Sequence, residues 1–146
     1  MPLDTAGLQS SLLDLFAAPP TAGADCAQAW ADIIEAYCTS IVPPSTTVAA
    51  GAPTLASSLA AAFASPSAAA LFDSAFAAFA VTVAGGMLPT FTGVPPPAPL
   101  NIASLLATSQ PTHAAAAAAF ASLIDSWFRT GTGVLVAPPN TVLPWS

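Results

Sequence analysis

THAAAAAAFASLIDSWFRT, residues 112–130, followed by Gly131, decides what kind of fold this chain makes. Thr112 has the hydroxyl of a good N-cap, alanine has the best intrinsic helix propensity, and Gly131 stands where a left-handed C-cap is wanted. Phe120, Leu123, Ile124, Trp127 and Phe128 recur at the spacing of one broad apolar helix face. The six alanines before them leave a narrow side on which another backbone can approach closely. The stretch therefore predicts a packing helix with both ends marked and no chemical site on it.

Working outward, the same apolar periodicity recurs between proline breaks. Asp4 or Thr5 caps a helix to about Ala17, with Leu8, Leu12, Leu13, Leu15 and Phe16 on one side and Pro19-Pro20 as its stop. A second helix starts between Thr21 and Asp25 and runs to about Ser40, with Trp30, Ile33, Ile34, Tyr37 and Ile41 at helical spacing on one face. A third begins near Pro53 with Leu55, Leu59 and Phe63 in a row. A fourth, about Pro66 to Ala84, aligns Leu71, Phe72, Phe76, Phe79 and Val83 and ends at Gly85-Gly86. Met87 to Pro99 is poor in helix signals, and its prolines favour an extended polyproline conformation. A short helical turn follows over Asn101 to Ala107. The fold class is all-α: a compact bundle of about four to six helices with Pro-rich connections and an extended C-terminal tail. Its core should contain Trp30, Ile34, Phe76, Phe79, Phe120, Ile124 and Trp127.

Only 5% of the 146 residues are charged, against about a quarter in an ordinary soluble domain. One arginine, Arg129, faces seven acids, for a net charge of −6. Nucleic acid and anionic membrane surfaces both require clustered cations, so neither is an expected partner. Disorder requires the opposite composition, few apolar residues and many charges. With so little charge to solvate a free surface, much of that surface is expected to meet other subunits. The alternative is that Ala, Ser, Thr and Gly form a weakly polar exterior tolerated as it stands. Ser74 to Thr92 has the length of a membrane span, but Gly85, Gly86 and Pro89 interrupt it and no basic residue flanks it. The N-terminus has Asp4 where an export signal carries positive charge, so no such signal is expected.

The search for chemistry yields no catalytic, cofactor or metal residues. Cys26 and Cys38 fall on one helix about 18 Å apart in rise, too far for a disulfide. His113 is the sole histidine and has no second ligand or carboxylate nearby in sequence. No Gly-rich phosphate cradle occurs. Asp125 and Arg129 form an i, i+4 pair; Arg129 could instead reach a partner's acid or the carbonyls at its own helix end. Residues 29–37 echo residues 119–127 in an aromatic, two branched aliphatics, an acid and a second aromatic. That pattern fits either an internal repeat or two core helices of similar composition.

Residues 132–146 form a separate unit in this reading, an apolar docking tail after a helical domain of residues 1–131. The tail holds Val134, Leu135, Val136, Val142, Leu143 and Trp145 without a charge. It either adds to a neighbour's sheet, with Trp145 as the anchor, or folds back over the helix of residues 112–130. Interface candidates are Arg129, Val134, Leu135, Val136, Leu143 and Trp145.

Four pieces, IVPPSTTV (41–48), THAAAAAA (112–119), IDSWFRTGT (124–132) and the terminal PWS (144–146), resemble small Ala- and Pro-rich structural proteins of tailed-bacteriophage particles. The resemblance covers about a fifth of the chain. It implies a non-enzymatic virion component of the neck, tail or baseplate, without cofactors, whose partners are other virion proteins or copies of itself. A different class of reading is a secreted or cell-surface helical binding module whose apolar face accommodates a lipid or an exported partner. A small enzyme would require paired titratable groups that the spacing does not show.

Overall fold

The computed structural model describes residues 2–146. Six helices form a mostly α-helical compact bundle: α1 (Thr5–Ala17), α2 (Gly23–Cys38), α3 (Val48–Phe63), α4 (Ala68–Gly85), α5 (Ile102–Leu106) and α6 (His113–Phe128). Each of the first four lies against its sequence neighbour; α5 bridges α4 and α6, and α6 returns to α1, closing a ring. Three short strands, β1 (Phe91–Val94), β2 (Thr132–Leu135) and β3 (Val142–Pro144), make an antiparallel sheet in that order.

Helix ends follow local chemistry. The Asp4 carboxylate accepts from the Ala6 N–H, and the Thr112 hydroxyl accepts from the Ala115 N–H at 3.0 Å, each satisfying an orphan donor of the first turn. The far end of α4 is closed by a different segment. Ser45 and Thr47 donate to the Val83 and Thr82 carbonyls, and the Thr46 N–H donates to the Gly86 carbonyl at 3.0 Å. The Thr82 and Val83 carbonyls, which share the single Gly86 N–H at the helix end, and the Gly86 carbonyl beyond it are therefore taken up by the connection between α2 and α3.

The interior is aromatic at its centre and small at its helix contacts. Trp30, Ile34, Phe76, Phe79, Ile124 and Trp127 are buried in one cluster as expected, whereas Phe120 is only partly buried at its edge. Ala117 and Ala121 are fully buried on α6, the helix that packs against α1. The two echoing helix segments meet at Trp30 and Phe120, ring centroids 5.7 Å apart. They are not halves of a duplicated fold, because α2 leads into a helix pair and α6 into a hairpin. α4 is long and apolar enough to cross a membrane, yet Phe72, Ala75, Phe76, Phe79, Ala80, Val83 and Ala84 put one of its faces in the core.

Three expectations are corrected. α3 starts at Val48 rather than near Pro53, which sits inside the helix. Proline's fixed φ suits a helix, and both Pro53 and the Ala49 carbonyl it leaves without a donor lie at exposed positions. Gly131 is not a left-handed cap, since no described glycine has positive φ. Its missing side chain is needed for a different reason: a Cβ there would stand 2.5 Å from Cδ2 of Trp145.

The third correction concerns the tail, which is neither separate from the helical domain nor free to dock by Trp145. Residues 132–135 pair with β1 and with 142–144, and the Val42 and Ser146 backbones exchange hydrogen bonds of 2.9 and 3.0 Å. Trp145 is 1% exposed, stacked on Phe128 at a centroid distance of 6.3 Å, and its backbone N–H donates to the Gly131 carbonyl. The physical reason is area: an apolar chain end next to an uncovered aromatic helix terminus lowers its free energy by folding back before it meets any neighbour.

Trp145→Ala is expected to cost about 3 to 5 kcal/mol and Gly131→Ala about 1 to 3 kcal/mol, measured by denaturant unfolding. Deleting residues 134–146 should lower the melting temperature by many degrees. Wild-type stability in the truncated chain would contradict the packing described.

Candidate functional site

Three features outside the core could engage something else. The first is the sheet. Register puts Phe91, Gly93, Gly133, Leu135 and Leu143 on its inner face and Thr92, Val94, Thr132, Val134, Val142 and Pro144 on its outer face. The inner face can lie close to the bundle because Gly93 and Gly133 are directly paired. A Cβ on Gly133 would stand 2.6 Å from Cγ of the buried Pro43, and one on Gly93 would collide with the Ala84 backbone. The outer face carries no charge, and Val94 and Val142 are 44% and 57% exposed.

The second feature is the ion cluster at the other end of the interface candidates. Asp125 accepts from the Tyr37 hydroxyl at 2.6 Å and pairs with Arg129 Nε at 2.8 Å. Arg129 Nη2 also donates to the Leu3 carbonyl at 3.1 Å. Arg129 thus binds its own chain's acid and N-terminal backbone, tying α6 to α2 and to the segment before α1. Partial burial alone would push the Asp125 carboxyl up, but hydrogen bonds from Arg129 and Tyr37, with the Arg129 charge, hold it below the ordinary value of 3.8. Burial, and then the hydrogen bond to Asp125, push the Tyr37 phenol far up, so it stays a neutral donor.

The third is an open apolar groove of about 360 Å³ between α1, α2, the end of α3, α4, α5 and α6. Phe16, Trp30, Phe63, Phe72 and Phe120 surround it, and Cys26 supplies its one thiol. The rings touch in sequence: Phe16 to Phe120 at 5.4 Å, Phe120 to Trp30 at 5.7 Å, Trp30 to Phe72 at 5.4 Å. Burial pushes the Cys26 thiol up, so it remains protonated and behaves as a small apolar wall.

Of the expected interface residues, then, Trp145 is core, Leu135 and Leu143 are half-buried on the inner sheet face, Val134 is half-buried on the outer face, and Val136 is exposed. Sequence reading missed the contribution of β1 to the outer face; the signal available was the Phe91-Thr92-Gly93-Val94 alternation after Pro89. It also missed the groove, to which all six helices contribute. Among the described residues no three His, Cys, Asp or Glu side chains come together as a metal site. No protein-family model matches the chain, and neither a curated protein nor a solved structure is significantly similar to it.

Tyr37→Phe should cost about 1.5 to 3 kcal/mol, since it removes a hydrogen bond to a partly buried carboxylate. Because Asp125 titrates lower folded than unfolded, its contribution is complete above the ordinary carboxylate value and is lost as pH falls through the lowered one. The stability gap between wild type and Asp125→Asn, measured by urea unfolding, should be widest at neutral pH and close in strong acid.

Proposed function

We propose that this protein is a non-enzymatic assembly subunit of a tailed-bacteriophage virion, a neck, tail or baseplate component whose partners are other virion proteins or copies of itself. The observation that carries the reading is the charge-free outer face of the sheet. Most solvent-facing sheets carry charged side chains that keep them soluble and unpaired. This one presents only threonine, valine and proline across its three strands, and depletion of charge is a mark of the centre of a protein–protein contact. The resemblance of the four sequence pieces to phage structural proteins supplies the setting.

The ion cluster supports the same reading by its use. Tyr37, Asp125 and Arg129 are engaged with one another and with the Leu3 carbonyl, so the chain's single cation serves the fold. The remaining acids spread the negative charge thinly over the helices, leaving residues 86–112 and 130–146 without any charged side chain. Contact through the sheet end therefore opposes no like charges.

Val94→Lys and Val142→Lys place a cation on this face at exposed positions, where a substitution should change stability by no more than about 0.5 kcal/mol. Both variants are expected to fold with wild-type melting curves and to be lost from purified particles in a complementation assay. Copurification of the wild-type protein with intact virions is the prior requirement. Its absence would overturn the virion reading, and normal incorporation of both lysine variants would overturn the role given to the sheet.

A further inference from the structure

The aromatic groove has a shape and a charge environment that the assembly role does not use. Phe16, Trp30, Phe63, Phe72 and Phe120 supply its rings, whereas the first turn of α4 contributes only Ala68 and Ala69. A longer apolar side chain at either alanine would fill the space, and leaving it unfilled forfeits dispersion contacts along the walls. The volume of about 360 Å³ falls within the range of small-molecule sites, and the lining is of the apolar, aromatic kind those sites have.

Charge selects among occupants. No lysine or arginine lines the groove, and the single one in the chain, Arg129, is nine residues along from Phe120, roughly 13 Å of helical rise away. Arg129 is moreover held by Asp125 and the Leu3 carbonyl. Acids flank the groove residues instead. Asp25 precedes Cys26, and Asp73 follows Phe72, with its carboxylate accepting from the N–H of Ile102 in the groove lining at 3.0 Å. Ring faces are themselves negative and attract cations. A carboxylate or sulfate head group would meet acids and aromatic faces with nothing to neutralise it. A second copy of the chain, also at −6 and without lysine, offers no complementary charge at this end.

We infer that the groove is a binding site for a small apolar molecule without negative charge, an alkyl or aryl body with a neutral or cationic head. The body lies along Trp30, Phe72 and Phe120. The head remains at the mouth, where Leu106 is 60% exposed.

The test uses one chain length with three heads: 1-octanol, octyltrimethylammonium and octanoate, titrated against the whole protein by tryptophan fluorescence and thermal shift. Octanol and octyltrimethylammonium should bind saturably and raise the melting temperature, with octanoate at least about tenfold weaker. Ala69→Leu and Cys26→Met, which narrow the groove from α4 and from α2, should abolish binding while leaving the helical circular-dichroism spectrum intact; Ala70→Leu, at an exposed position on the next residue, should not. Absence of saturable binding, octanoate binding as tightly as the other two, or binding that persists in whichever groove variant keeps the wild-type spectrum would each overturn the inference. None of these outcomes depends on whether the protein is found in virions.

Discussion

Trp145 wedged between the Gly131 backbone and the Phe128 ring is the contact on which the other arrangements depend. It fixes the chain end against the end of α6, and from there the Ser146 backbone bonds to Val42 and the β3 strand is held beside β2. Pro43, next to Val42, fills the space under Gly133, and Ser45 to Thr47 then fall at the open end of α4. One indole thus aligns three segments distant in sequence. Its ring nitrogen is buried without a hydrogen-bond partner among the described residues, a cost of about 1 to 3 kcal/mol that the stacking and the apolar burial offset.

Residues 41–48, 124–132 and 144–146 meet at this point. Their residue types have local structural reasons. Pro43 suits a tight, buried approach under a glycine, the serine and threonines supply hydroxyls to helix carbonyls, Gly131 admits the indole, and Asp125 with Arg129 holds α6 to α2. A chain almost without charge needs such devices, because it has few ion pairs with which to fix the relative placement of its helices.

The helices were legible in the sequence because each announces itself locally. Asp4, Thr112 and the proline pairs mark ends, and leucine and aromatic spacing marks faces. The start of α3 was misread because Pro53 looks like a first helical residue and only its exposed position makes an interior one tolerable. The sheet was not legible: its strands are three or four residues long, and the pairing of Gly93 with Gly133 is decided by the Ala84 backbone and Pro43, which no local pattern reveals. The tail was read correctly as extended and apolar, but its direction depended on whether Phe128 was otherwise covered. That is a tertiary question. The groove was illegible for the same reason, since its rings come from five helices.

Native-state amide hydrogen exchange at the chain end tests the account most directly. If Trp145 closes the fold, the amides of Trp145 and Ser146, which donate to the Gly131 and Val42 carbonyls, should be protected to nearly the same free energy as those of Ile124 and Phe128 in α6. Exchange of these two terminal amides at the rate of an unstructured chain, with α6 still protected, would contradict it.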